Sequence, residues 1–164
     1  MIKRHVLTAV AATALAIVPS AFGQTTVGVT VGPEATFVST DTNTTLTKSD
    51  STFGGFAATT NFVYKIRTPQ GSGAGAITVE VSTFTGSGGP AVSDLSYTCS
   101  AVSGTACSAG TPSTSAQTGV VAFGADAHSA DAGDAGSAVW ALVDRPTVKT
   151  GTYSTTATFT ISAT

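Results

Sequence analysis

The stretch Tyr153-Ser154-Thr155-Thr156-Ala157-Thr158-Phe159-Thr160-Ile161 decides the fold class. Tyr153, Thr155, Ala157, Phe159 and Ile161 alternate with Ser154, Thr156, Thr158 and Thr160. Successive side chains of an extended chain point to opposite faces, so one face here is largely apolar and the other carries only hydroxyls. That is the pattern of a half-buried β-strand. Lys149-Thr150-Gly151 leads into it, and the sequence closes three residues after it. A strand of this kind must pair inside a sheet.

Reading back from it, the same period recurs. Asp144-Arg145-Pro146 is a turn, and Ser137–Val143 is a strand carrying Trp140 and Leu142. Gly124–Gly136 has no apolar period and reads as a long loop, while Gln117–Phe123 is a strand centred on Val120 and Val121. Ala109–Ala116 is a small-residue loop, and Leu95–Cys99 is a short strand. Ile77, Val79 and Val81 share one face, as do Phe62, Tyr64 and Ile66 within Asn61–Thr68. Pro69-Gln70-Gly71-Ser72-Gly73 joins these two runs, which predicts a hairpin. Ala35–Thr40 and Thr44–Lys48 are short strands around Asp41-Thr42-Asn43, and Val27, Val29 and Val31 predict a first strand. About eight or nine short strands at this spacing, with no helix, predict an all-β fold. The expected architecture is an Ig-like Greek-key β-sandwich, with a β-barrel as the alternative.

The amino terminus predicts an export signal in helical form. Lys3, Arg4 and His5 precede an apolar run from Val6 to Val18, and Pro19-Ser20-Ala21-Phe22-Gly23 supplies small residues for a cut before Gln24. The run is shorter than the roughly 20 apolar residues of a membrane span. The expected organisation is a signal peptide over 1–23 and one β-sandwich domain over 24–164, with no membrane span after cleavage. The expected location is secreted, extracellular or on the cell surface, with the periplasm as an alternative.

Residues 24–164 hold five basic and nine acidic side chains, a net charge of −4. No basic patch is present to neutralise phosphates, which argues against nucleic acid as a partner. The chain instead contains 31 Thr and 18 Ser, so hydroxyls rather than charges keep its outer faces wet. That balance suits an exported wall, fibre or matrix protein. Cys99 and Cys107 are the only cysteines, and an even pair in an exported chain predicts a disulfide. The stapled hairpin or loop, turning at Ser103-Gly104, is stabilised by about 2.5 kcal/mol on the chain-entropy estimate.

Chemistry is sparse. His128 is the one histidine of 24–164, and it lies with Asp126, Ser129 and Asp131 in a single loop. A nucleophile relay draws its members from different elements, so His128 reads as a solvated loop residue and no catalytic residue is assigned. Asp126, Asp131 and Asp134 are the candidates for a calcium loop. Their spacing matches no EF-hand, so they read as a solvated acidic loop with no metal or cofactor. Trp140 has two readings, a core anchor or a ring that stacks on sugar or peptide, with Leu142 beside it as a ligand contact.

Trp140-Ala141-Leu142 has the form W-x-L, and Tyr153–Ile161 resembles the closing motif of bacterial WxL cell-wall domains, with Phe159 and Ile161 in place of tryptophan and leucine. Gly151-Thr152-Tyr153 resembles the closing strands of spore-coat-U-like and pilin-like secreted sandwiches. The resemblance implies a bacterial, exported, Ig-like surface protein. The expected function is a structural or adhesive cell-surface component that self-assembles by strand exchange, not an enzyme. The alternative is a binding module for cell-wall glycan or peptide. The expected partners are copies of itself or other surface proteins, with cell-wall glycan under the alternative.

Overall fold

The computed structural model describes residues 26–49, 51–101 and 106–164. The export signal and the Ser103-Gly104 turn lie outside these residues. Among the described residues ten strands form two antiparallel sheets. They are β1 (Glu34–Thr40), β2 (Thr47–Lys48), β3 (Phe56–Arg67), β4 (Gly75–Val81), β5 (Leu95–Ala101), β6 (Ala106–Cys107), β7 (Ala109–Gly110), β8 (Thr118–Phe123), β9 (Asp134–Leu142) and β10 (Ala157–Ala163). One sheet has the order β1-β3-β9-β5-β7, with β2 also paired to β3; the other has the order β10-β4-β8-β6. The two sheets do not close into one ladder, so the architecture is a sandwich and not a barrel.

From β3 onward the chain changes sheet at every connection. This corrects the expected hairpin, because β3 and β4 lie in opposite sheets. Alternation states that each strand has one oily face but not which strand it pairs with. Crossing over sets Phe62, Tyr64 and Ile66 of β3 against the core from one side and Ile77, Val79 and Val81 of β4 from the other. All six are buried.

The rest of the core comes from Leu95 and Tyr97 of β5, Ala138, Trp140 and Leu142 of β9, and Val120, Val121 and Phe123 of β8. Two neighbours in one strand normally face opposite ways, yet Val120 and Val121 are both buried. The ladder explains this: Ile77 pairs with Val121 and Thr78 with Gly119, so Val120 is the extra residue of a bulge. In β9, Gly136 lies opposite Phe62, where an added Cβ would sit 2.4 Å from the phenyl ring. Only glycine admits that ring.

The disulfide forms, with Cα atoms 5.2 Å apart. Of the two expected forms, hairpin or loop, the hairpin is excluded, since Cys99 lies in β5 of one sheet and Cys107 in β6 of the other. Ser108 crosses the same boundary: its N–H donates to Val120 O and its C=O accepts from Cys99 N. The sandwich is therefore closed on this side by a chain that switches sheets, and the bridge locks the switch.

Two further expectations change. Residues 26–33 form no strand, and Val27, Val29 and Val31 are exposed. Three valines separated by Gly28 and Thr30 carry little apolar surface with which to form a strand alone. The closing strand begins at Ala157 rather than Tyr153. Before it, side chains join the pairing: Ser154 N donates to Thr85 Oγ1 and Thr156 N to Ser82 Oγ, at 3.1 and 3.0 Å. Tyr153 turns aside instead, its hydroxyl donating to Lys149 O at 2.8 Å.

Candidate functional site

On the side away from the disulfide the two sheets end in β1 and β10, which face one another without a strand between them. The core reaches this seam as an aromatic chain. Phe37 meets Phe62 at 6.0 Å between centroids, Phe62 meets Phe159 at 5.7 Å, and Phe159 meets Trp140 at 6.2 Å. Phe37, Phe159, Ile161 and Ala163 are only partly buried there. The alternation that placed Phe159 and Ile161 on an inward face holds. Their position at the open side follows from strand order, which no local pattern contains.

At one end the seam widens into a cleft of about 370 Å³. Val81, Leu95 and Trp140 form its floor, and Thr40, Asn43, Thr44, Ser154 and Thr156 contribute to its rim. The single rim carboxylate, Asp41, accepts from the main-chain N–H and side-chain amide of Asn61. The rim is thus neutral hydroxyl and amide around an apolar floor.

Trp140 is 4% exposed. Its Nε1–H donates to Thr60 Oγ1 at 2.8 Å, and Thr60 in turn shares a 2.7 Å bond with Thr44 Oγ1. Tyr97 and Phe159 meet its ring edge-on or tilted. Leu142 is also buried. These are the contacts of a core anchor whose polar atom has been satisfied internally.

At the opposite end of β1, Glu34, Lys65, Arg67, His128 and Asp131 border a shallow groove. Arg67 donates to Glu34 at 2.7 Å, and His128 Nδ1 lies 2.9 Å from Asp126 O in its own loop. Ser129 Oγ accepts from Ile66 N at 2.8 Å, so the hydroxyl pins the loop to β3. Asp126 sits in a left-handed turn, and Asp134 Oδ1 accepts from Ala130 N at 3.3 Å. Among the described residues no three His, Cys, Asp or Glu side chains converge as a metal site requires.

Two polar groups stand out in the interior. Asp94 is buried and receives both Nε and Nη2 of Arg145 on Oδ1, at 2.7 and 2.6 Å. The Arg145 hydrogen bond, outweighing desolvation, holds its carboxyl below the usual range. The pair therefore favours the fold above the ordinary carboxylate pKa, and the contribution is lost as pH falls through the lowered value. It ties the β4–β5 connection to the β9–β10 connection.

The Tyr64 hydroxyl is buried without a hydrogen-bond partner among the described residues. Burial, and then the charge of Asp134, push its pKa up. A buried unpaired hydroxyl costs about 1–3 kcal/mol. Tyr64→Phe is therefore expected to raise the thermal midpoint, and a lowered midpoint would reveal a bound partner such as an ordered water.

No protein-family model, curated protein or solved structure matches the chain. Fold and site define a class: a two-sheet all-β sandwich, sealed on one side by a disulfide and open on the other.

Proposed function

We propose that this is an exported structural or adhesive protein of the bacterial cell surface, which assembles with copies of itself by strand exchange. The open side carries the reading. Two edge strands present unpaired main-chain groups beside a half-covered aromatic seam, and an exposed Val27-Gly28-Val29-Thr30-Val31 segment has the alternation a donated strand needs. An extended segment added to an available edge gains affinity from main-chain bonds, while alternate side chains fill the space beneath. The disulfide and the hydroxyl-rich faces support an oxidising, extracellular setting. No catalytic role, cofactor or metal enters this reading.

Light scattering over a concentration series tests it. The oxidised protein is expected to grow into polymers, and deletion of residues 24–32 is expected to stop growth while leaving the far-UV circular dichroism unchanged. Undiminished polymer in the deletion variant would sink the donor assignment. A second reading, a binding module for cell-wall glycan or peptide, draws support from the neutral rim and apolar floor of the cleft. A strict monomer that pellets with cell walls would replace the first reading with the second.

A further inference from the structure

We infer that the free edge of β10 is a self-complementary contact that pairs antiparallel with β10 of a second copy about a twofold axis through Thr160. The inference goes beyond strand donation and does not involve the valine segment.

Three observations carry it. The first is the absence of edge protection. Natural edge strands are blunted by charges, prolines, bulges or extreme shortness. β1 has an acidic start at Glu34 and a register break between Phe37 and Ser39, while β6 and β7 have two residues each. β10 runs seven residues in unbroken register with β4 and contains no charge and no proline. Among the described residues it is the one long edge without any such device.

The second is hydrogen-bond parity. Ala74 and Thr164 exchange both main-chain bonds, at 2.8 Å each, and Ser82 N donates to Thr156 O at 2.9 Å. Bonded and non-bonded pairs alternate along an antiparallel ladder. Thr158, Thr160 and Ser162 therefore direct their N–H and C=O groups to β4, and Ala157, Phe159, Ile161 and Ala163 direct theirs to the open side.

The third is a chemical palindrome. Ala157-Thr158-Phe159-Thr160-Ile161-Ser162-Ala163 reads nearly alike in both directions: alanine, hydroxyl, large apolar, hydroxyl, large apolar, hydroxyl, alanine. Antiparallel pairing centred on Thr160 sets Ala157 beside Ala163 of the second copy, and Phe159 beside Ile161. These are the residues whose main-chain groups are free, so each such pair can exchange two bonds. On the core side an aromatic ring meets a β-branched chain, a favourable cross-strand pair, and on the outer face hydroxyl meets hydroxyl. The contact uses the same patch on both copies, as a closed twofold interface requires. Its result is a sheet continuous across two molecules, β6-β8-β4-β10 followed by its mirror order.

The register makes the test specific. Thr160 faces Thr160 of the second copy as a non-bonded pair, with Cα atoms about 4.5 Å apart, inside the range a disulfide spans. Thr158 is separated from its own copy by four residues along the strand, about 14 Å at about 3.4 Å per residue. In the full, oxidised protein, Thr160→Cys is expected to form a covalent dimer on mild oxidation, seen on a non-reducing gel, while Thr158→Cys stays monomeric. Thr160→Lys places like charges opposite one another, so it is expected to abolish the noncovalent dimer in light scattering with an unchanged near-UV spectrum. Equal cross-linking of the two cysteine variants, or none by Thr160→Cys, overturns the inference. Should Thr160→Lys fail to fold, or polymers mask the dimer, the cysteine comparison decides alone.

Discussion

Trp140→Ala will lower the stability of the sandwich by about 3–5 kcal/mol, the cost of truncating a large aromatic in a packed core. Three losses combine. The indole is 4% exposed and lies in the aromatic chain between Tyr97 and Phe159, so its removal leaves a cavity that rigid neighbours cannot fill. Thr60 Oγ1 also loses the 2.8 Å bond it accepts from the indole Nε1–H. The cavity opens onto the floor of the seam cleft, admitting water beneath Leu95 and Val81. Denaturant unfolding should show a reduced midpoint with a similar slope. For a domain whose total stability is about 5–15 kcal/mol, such a loss is a large share. A variant of undiminished stability that no longer pellets with cell walls would reverse the assignment and make Trp140 a contact residue.

Loss of the Cys99–Cys107 bridge, as the double serine variant, should cost about 2–4 kcal/mol. The short loop sets the entropic part of this, since cross-linking removes little freedom from the unfolded chain when the ends are near in sequence. The native location adds a second consequence. Among the described residues β6 pairs only at Ala106 and Cys107, and β7 only at Ala109 and Gly110. Without the bridge these short pieces rely on Ser108 and a few ladder bonds to hold two sheets together. Hydrogen exchange, corrected for intrinsic rates, should therefore accelerate more at the amides of positions 99 and 108, which donate to Ser108 O and Val120 O, than at Tyr64 and Trp140, which lie farther across the sheet. A uniform change at all four amides would mean that the bridge acts through the unfolded state alone.

Much of the fold is legible residue by residue. Alternation puts Phe62, Tyr64 and Ile66 on one face and Ile77, Val79 and Val81 on one face, and all six are buried; for Trp140 and Leu142 it leaves a core anchor and a ligand contact both open, and both side chains are buried. The cysteine pair was legible from parity. The sequence does not show where β3 and β4 part, because a glycine-rich connection serves equally for a tight turn and for a crossing between sheets. Thr68 makes the difference: its hydroxyl donates to Gly124 O at 2.8 Å and accepts from Ala127 N at 2.8 Å. Those partners lie more than fifty residues away. The bulge at Val120 was equally hidden, since two adjacent valines fit a strand in either register.

Valine repetition misled at the other end. Val27–Val31 has the period of a strand, but a strand exists only where an edge accepts it, and residues 26–33 are not in strand form. The seam was missed for a related reason. Nothing in Ala157–Ala163 marks it as an edge except the lack of charge, proline and bulge, a signal visible in sequence only once strand order is known.

The all-β class, the alternating faces of the long strands, the pairing of the two cysteines and the hydroxyl-rich exterior are legible in the residues alone. These depend on period, parity and composition, which are local. Which strands are neighbours, that the bridge joins two sheets, that Trp140 is enclosed, and that β1 and β10 leave one side open are properties of the folded molecule. Those properties arise from contacts between residues far apart in the chain, whose energies depend on three-dimensional packing and not on the order of residues along any one strand.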